Sequence, residues 1–164
     1  MIEEFIRNSN AIERVYDESA VDSSLRAWNY LKQHDTLTEE VIKTTHNKIL
    51  HNRQPEIAGG FRNIHVRVGQ DTPPAPIKVP DLIAELLTIT PETHPEAINW
   101  HVRFEKIHPF ADGNGRIGRI IYLWHCKRIL NTSPIMWSVE NKEAYYALFR
   151  GTKIEETTFQ PEEK

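Results

Sequence analysis

Apolar residues recur along this chain at helical intervals. Val21, Leu25, Trp28 and Leu31 fall at i, i+4, i+7 and i+10, and Ile42, Thr45 and Ile49 repeat the spacing. Ala97, Trp100, Phe104 and Ile107 form a third stripe, and Ile117, Ile120, Ile121 and Trp124 a fourth. Each stripe gives a helix one face to bury, so the pattern predicts a mostly α domain in which helix packs on helix. The last stripe predicts a helix over 115–130 that ends near Asn131, ahead of Pro134. Trp28, Trp100 and Trp124 lie on these stripes and read as core.

One segment breaks the period. Over 59–69, GGFRNIHVRVG, the apolar Ile64, Val66 and Val68 alternate with His65 and Arg67 between glycines, which predicts a strand or β-hairpin. The DTPPAPIKVP that follows carries four prolines and reads as an extended loop. No repeat or flexible linker marks a second domain.

The chemistry is concentrated at 108–119, HPFADGNGRIGR. A helical stripe precedes it and another follows. Pro109 stops the first helix, while Gly113 and Gly115 let the chain turn with its N–H groups inward. The start of the second helix then offers free N–H groups and a positive dipole end to an anion. Arg116 and Arg119 lie three apart on that helix and reach further phosphate oxygens. Asp112 is a hard oxygen ligand suited to Mg²⁺ between phosphates, and His108 is suited to act as a base near neutrality. The same letters satisfy G-x-G-x-x-G at Gly113, Gly115 and Gly118. That fingerprint needs a preceding strand in a βαβ unit, and EAINWHVRFEKI is helical in period, so the dinucleotide reading fails. No G-K-[ST] follows, which excludes a Walker loop. His94, His101 and His108 fall seven apart, but prolines interrupt the helix at both ends, so His101 reads as a hydrogen-bonded core residue rather than a metal ligand.

Composition narrows the setting. The chain has 164 residues, 20 Lys plus Arg against 23 Asp plus Glu, and a net charge of −3, which fits one domain without a general coat for DNA or anionic membrane. One cysteine, Cys126, rules out a disulfide framework and reads as an inert residue of a reducing compartment. No apolar run is long enough to span a bilayer, and the acidic start MIEEF does not resemble a signal peptide. The expectation is a soluble, cytoplasmic protein.

The stretch HPFADGNGRIGR resembles the signature of the Fic (filamentation induced by cyclic AMP) family, H-P-F-x-[DE]-G-N-G-R-x-x-R, with every defining position filled. Gly60, Phe61 and Arg62, the alternating 64–68 and PPAPIKVPDL resemble the family's flap hairpin and its exit. HVRFEKIHPF resembles the run into the signature, and ENKEAYYALF resembles the helix closing the core. The resemblance implies a Fic-like helical bundle with a small β-hairpin flap (59–69) beside the signature loop (108–119), in a core over 19–155 followed by a polar tail over 156–164.

It also implies an activity. Fic enzymes typically transfer AMP from ATP, with Mg²⁺, to a Ser, Thr or Tyr hydroxyl of a target protein and release pyrophosphate. By position His108 would be the catalytic base, Asp112 the metal ligand, and Gly113, Asn114 and Gly115 the anion hole. Arg116 would bind phosphate, Arg119 would grip the γ-phosphate, and Tyr146 would contact the base. Phe110 would anchor the loop, and Arg62 is expected to face the triphosphate with the other two arginines. Ile64, His65 and Val66 would dock an extended target segment through the flap's free edge. Ser9 to Glu13 resembles the family's inhibitory motif [ST]-x-x-x-E-[GN], which implies an inhibitory helix over 1–18 whose Glu13 pairs with Arg119. Arg14 stands where that motif has Gly or Asn. The partners implied are ATP and a hydroxyl-bearing protein, with a homodimer left open and no DNA or membrane. Removal of AMP by means of Glu13, or transfer of UMP, phosphate or phosphocholine, are the alternative reactions. A kinase of the Doc type, which turns ATP round, departs from the signature at the glycine that Gly115 supplies here.

Overall fold

The computed structural model describes residues 1–150. The tail expected over 156–164 lies outside the described residues, as does the end of the expected core. Seven α-helices are present among the described residues: α1 (Ile2–Ile12), α2 (Glu18–Leu31), α3 (Glu39–Leu50), α4 (Val79–Leu86), α5 (His94–Ile107), α6 (Asn114–Trp124) and α7 (Lys142–Ala147).

Their starts follow from local chemistry. Asp17, Thr38 and Thr93 each precede a helix in extended conformation and accept a first-turn N–H, from Ala20, Val41 and Glu96 respectively. Pro80 and Pro95 occupy first-turn positions, where no donor is lost. The expected helix over 115–130 begins at Asn114 and runs as α-helix to Trp124. It widens to a π-turn over His125–Ile129 and ends before Asn131, which is left-handed.

The helix α6 is the axis of the bundle, and its residues from Arg116 to Trp124 are all buried. The helix α5 packs along it, α2 pairs with α3, and α1 lies against both α2 and α6. Phe5, Ile6 and Ile12 tie α1 to the same core as Trp100, Phe104 and Ile120. Each large apolar side chain fully withdrawn from water contributes about 1.5–3 kcal/mol to that packing. Trp28, Trp100 and Trp124 are core residues as expected, and Trp137 joins them against the rings of Tyr122 and Tyr145.

The expected hairpin does not form. Among the described residues there is no strand, and residues 61–75 are an extended loop with a single isolated bridge between Val68 and Asp71. Gly69, at φ +59°, lets the chain reverse at that tip. Two causes stop the ladder there. The returning arm carries Pro73 and Pro74, which have no N–H to donate. Arg62 takes over the pairing, donating to the carbonyls of Ile64 (2.9 Å) and Pro74 (2.6 Å), one in each arm.

Candidate active site

The signature loop is locked by its own side chains. Asn114 accepts the N–H of Phe110 and donates to the carbonyl of Phe110, both at 2.9 Å, closing the loop like a clasp. Phe110 is fully buried and stacks on the ring of His46 at 3.7 Å. His46 accepts the N–H of Gly59 at Nδ1 (3.0 Å), so its proton lies on Nε2 and is donated to the carbonyl of Asp112 (2.8 Å). Burial lowers the pKa of His46 to about 4, which keeps this arrangement neutral. One imidazole thereby ties the base of the flap to the loop beneath Asp112. Gly113, at φ +79°, makes the turn into α6, and a Cβ there would press on Leu50 and His46. No side chain caps α6, and Gly115 in its first turn lines the adjacent cleft.

His108 caps α5 in a left-handed conformation (φ 52°, ψ 63°), an uncommon state for a residue with a Cβ. Its Nδ1 lies 3.3 Å from the carbonyl of Glu105, and a carbonyl only accepts, so the ring proton is on Nδ1. Nε2 is left with its lone pair, and burial lowers the pKa of the ring, which keeps it a neutral base.

A cleft of about 700 Å³ opens beside this loop, walled by Glu13, His108, Gly115, Arg119 and Tyr145, with residues of the flap loop opposite. Arg119 is only 1 % exposed. Its Nε donates to Ser9 Oγ (2.8 Å), its Nη2 to the Ser9 carbonyl (3.0 Å) and to Glu13 Oε1 (2.7 Å), and its Nη1 to the Tyr145 hydroxyl (3.0 Å). The geometry contains the expected contact of Glu13 with Arg119, and the two contacts from Ser9 come in addition to it. The Glu13 carboxylate also lies over the start of α6, where a Cβ on Gly115 would collide with it. A carboxylate thus occupies the position where the helix offers itself to an anion.

Arg14 explains how α1 can deliver that carboxylate. It is left-handed (φ 58°), and the N–H groups of Arg14 and Val15 return to the carbonyls of Ala11 and Asn10. This is a Schellman turn, whose left-handed position favours Gly or Asn. Arg14 makes the same turn at a steric cost of about 1–2 kcal/mol.

The remaining expected residues fall as follows. Asp112 is half-exposed, with Oδ1 accepting the Gly113 N–H (2.7 Å) and Oδ2 4.0 Å from Arg116 Nη2. Arg116 is buried, and its Nε has no partner among the described residues. Among the described residues no three metal-ligating side chains converge. A lone carboxylate at such a turn would suit Mg²⁺, which takes one or two carboxylates and draws its other ligands from phosphates and water. Tyr146 lies at the cleft, 41 % exposed. Ile64 and His65 are exposed on the flap loop and Val66 partly so. Arg62 departs from expectation: it is buried, and its guanidinium is spent on the carbonyls of Ile64, Pro74, Ile107 and His108, so it anchors the flap and does not face the cleft.

Sequence reading missed Tyr145 and Glu105. Tyr145, not its neighbour, packs its ring under Arg119 and donates a hydrogen bond from its hydroxyl to His101 Nε2 (2.9 Å). His101, Glu105 and His108 recur at i, i+4 and i+7, a polar stripe on α5 that pointed to this site. His46 had no such signal, since its partner is 66 residues away.

The sequence model of the Fic/DOC family matches residues 36–126, and the chain belongs to that family. It is 31 % identical over 137 residues to "Protein adenylyltransferase fic-1" of Caenorhabditis elegans, covering 77 % of this chain and 27 % of that one. It is 32 % identical over 135 residues to "Protein adenylyltransferase Fic" of Nematostella vectensis, covering 77 % and 31 %. Among solved structures, Fic-1 from C. elegans superposes with TM-score 0.63 at 28 % identity, over 79 % of this chain and 41 % of that chain. A Fic-domain signaling protein from Bacteroides thetaiotaomicron gives TM-score 0.72 at 21 % identity, over 88 % and 69 %, a likeness of fold alone. The chain spans under a third of the length of these curated relatives. No helix among the described residues is long and apolar enough to cross a membrane.

Proposed function

We propose that this protein is an adenylyltransferase that moves AMP from ATP to a Ser, Thr or Tyr hydroxyl of a protein, and that α1 (within the expected inhibitory segment 1–18) restrains it. The observation that carries this reading is the Glu13 carboxylate on Arg119 above Gly115, an anion held where a nucleotide's phosphates would go. In the reaction His108 Nε2 takes the proton of the target hydroxyl as its oxygen attacks the α-phosphorus, and the bond to the β-phosphate oxygen breaks to release pyrophosphate. The N–H groups of Asn114 and Gly115 at the start of α6, joined by that of Gly113 once it leaves Asp112, hold the phosphate oxygens, with Arg116 and Arg119 on the tail of the triphosphate. Asp112 would hold Mg²⁺, which when bound neutralises phosphate charge. The exposed backbone around Ile64, His65 and Val66 pairs with an extended target segment, and Tyr146 borders the base.

Glu13 blocks by competition, since a guanidinium paired with a carboxylate is not free to clamp a γ-phosphate. The curated relatives named adenylyltransferases support the transfer of a nucleotidyl group. The test is incubation of Glu13→Gly with ATP labelled at the α- or the γ-phosphate. Retention of the α-label on protein, lost when His108→Ala is added, is the expected result. Retention of the γ-label would turn the reading into phosphoryl transfer, and mass spectrometry separates AMP from UMP or phosphocholine. Loss of AMP from a modified target on adding wild-type protein would assign the reverse reaction to Glu13.

A further inference from the structure

The peptide groups around His108 are held from outside their own helix. The last carbonyls of a helix have no intrahelical donor, and Pro109 brings no N–H of its own. At the end of α5 one residue serves three successive carbonyls. The side chain of Arg62 donates to Ile107 (Nη2, 3.2 Å) and His108 (Nε, 2.6 Å), and its backbone N–H donates to Pro109 (2.9 Å). These bonds bracket the left-handed His108 (φ 52°, ψ 63°), a conformation that persists only where its surroundings impose it. They lie beside the 3.3 Å contact of His108 Nδ1 with the carbonyl of Glu105, which sets the ring tautomer.

The same guanidinium gathers the flap. Its Nη1 and Nη2 donate to Ile64 (2.9 Å) and Pro74 (2.6 Å), in the outgoing and the returning arm. Phe61, beside it in the chain, packs its ring on Phe110 of the signature loop at 5.5 Å. Arg62 is only 4 % exposed, and among the described residues no carboxylate pairs with it. Burying a cation is costly, and backbone carbonyls are what offset the cost here. A helix end can be capped without any such charge. A planar fork with donors in fixed directions suits a place where several carbonyls must keep one mutual geometry.

We propose that Arg62 is a positioning residue for the transfer: one rigid fork joins the flap that docks the target to the backbone that carries His108, and so sets the approach of the hydroxyl to Nε2. The inference rests on the nucleotidyl-transfer reading above and adds to it a group that touches neither nucleotide nor target. Its effect falls on the chemical step, because Arg116, Arg119 and the start of α6 make no hydrogen bond with it.

The experiment compares Glu13→Gly with Glu13→Gly carrying Arg62→Lys, which keeps the charge and loses the fork. Self-labelling from α-labelled ATP is measured against ATP concentration, with urea unfolding to show that both proteins fold. The expected result is a maximal rate lower by ~10- to 10²-fold, with the half-saturating ATP concentration unchanged. An unchanged maximal rate would overturn the proposal. The ¹⁵N signals of the His108 ring, assigned by their absence from His108→Ala and read at a pH where the ring is neutral, give a second reading. Glu13→Gly should show Nδ1–H alone, and Arg62→Lys a mixture of Nδ1–H and Nε2–H as the turn relaxes. A lower rate with an unchanged tautomer would leave Arg62 serving the flap alone and overturn the proposal. Should Arg62→Lys not fold, Arg62→Gln is read in the same way, and unfolding of both would make the residue a structural one and overturn the proposal. If Glu13→Gly retained no α-label at all, the transfer reading would fail separately, and the tautomer comparison would decide whether Arg62 holds His108.

Discussion

The signature loop and the flap loop face each other across one cleft and are ordered by opposite means. The signature loop is held from inside, by the double bond between Asn114 and Phe110, the stack of Phe110 on His46 and the His46 hydrogen bond to Asp112. The flap loop has one bridge at its tip and an exposed ion pair from Asp71 to Lys106 (3.2 Å), and otherwise leans on Arg62, which also reaches the carbonyls of Ile107 and His108. Reacting groups must be placed to within a fraction of an ångström, and that needs a buried, fully bonded support. A docking edge needs the reverse, because backbone groups already paired in a ladder cannot pair with a target. The difference suits the proposed division of the cleft, with chemistry on one side and recognition on the other.

The comparison breaks most visibly at the base. His108→Ala should lower transfer of the α-label by about 10²–10⁴-fold, measured in the Glu13→Gly background. An unchanged rate would remove the signature loop from the chemistry. Next comes the clasp. Asn114→Ala leaves the buried N–H and C=O of Phe110 unpaired and should cost about 1–3 kcal/mol of stability for each group not resatisfied, read from urea unfolding. A shift under half that range would mean that the loop is supported elsewhere.

The restraint itself has a smaller lever. Arg14→Gly relieves the left-handed turn and should stabilise the protein by about 1 kcal/mol. It should also lower residual transfer by the intact chain, since α1 then delivers Glu13 at less cost. A destabilised Arg14→Gly would show that the arginine side chain contributes more than its backbone strain removes. The smallest thermal effect belongs to the flap. Ile64→Ala, at a side chain 54 % exposed, should move stability by less than about 0.5 kcal/mol while lowering labelling of an extended protein target. Unaltered target labelling would take Ile64 out of the docking edge.

These contrasts also decide what a sequence can reveal. The helices were legible because one-sided burial imposes a period, and the stripe through Ile117, Ile120, Ile121 and Trp124 became the buried axis α6. The site was legible where the groups are neighbours in sequence, as in 108–119. The pairing of Glu13 with Arg119 spans 106 residues and was reached through a resemblance, not through periodicity. Alternation at Ile64, Val66 and Val68 suggested a hairpin because local pattern weighs side-chain burial. It does not register that prolines empty the partner arm of donors, or that an arginine supplies the bonds instead. Tyr145 and Tyr146 are indistinguishable by type, and only the packing of α7 decides which one meets Arg119. The turn at Arg14 forms despite its residue, because Phe5, Ile6 and Ile12 already hold the rest of α1 in the core.

The central claim is that one guanidinium is contested between a carboxylate of this chain and the phosphate tail of a nucleotide. Its most direct test is the rate of α-label incorporation by Glu13→Gly relative to wild type, at matched ATP and Mg²⁺, with His108→Ala as the blank. Losing a charge-assisted hydrogen bond of about 1.5–3 kcal/mol from the restrained state corresponds to a rise of roughly ten- to a hundredfold, and the account predicts a rate increase in that range. Equal rates in the two proteins would contradict it.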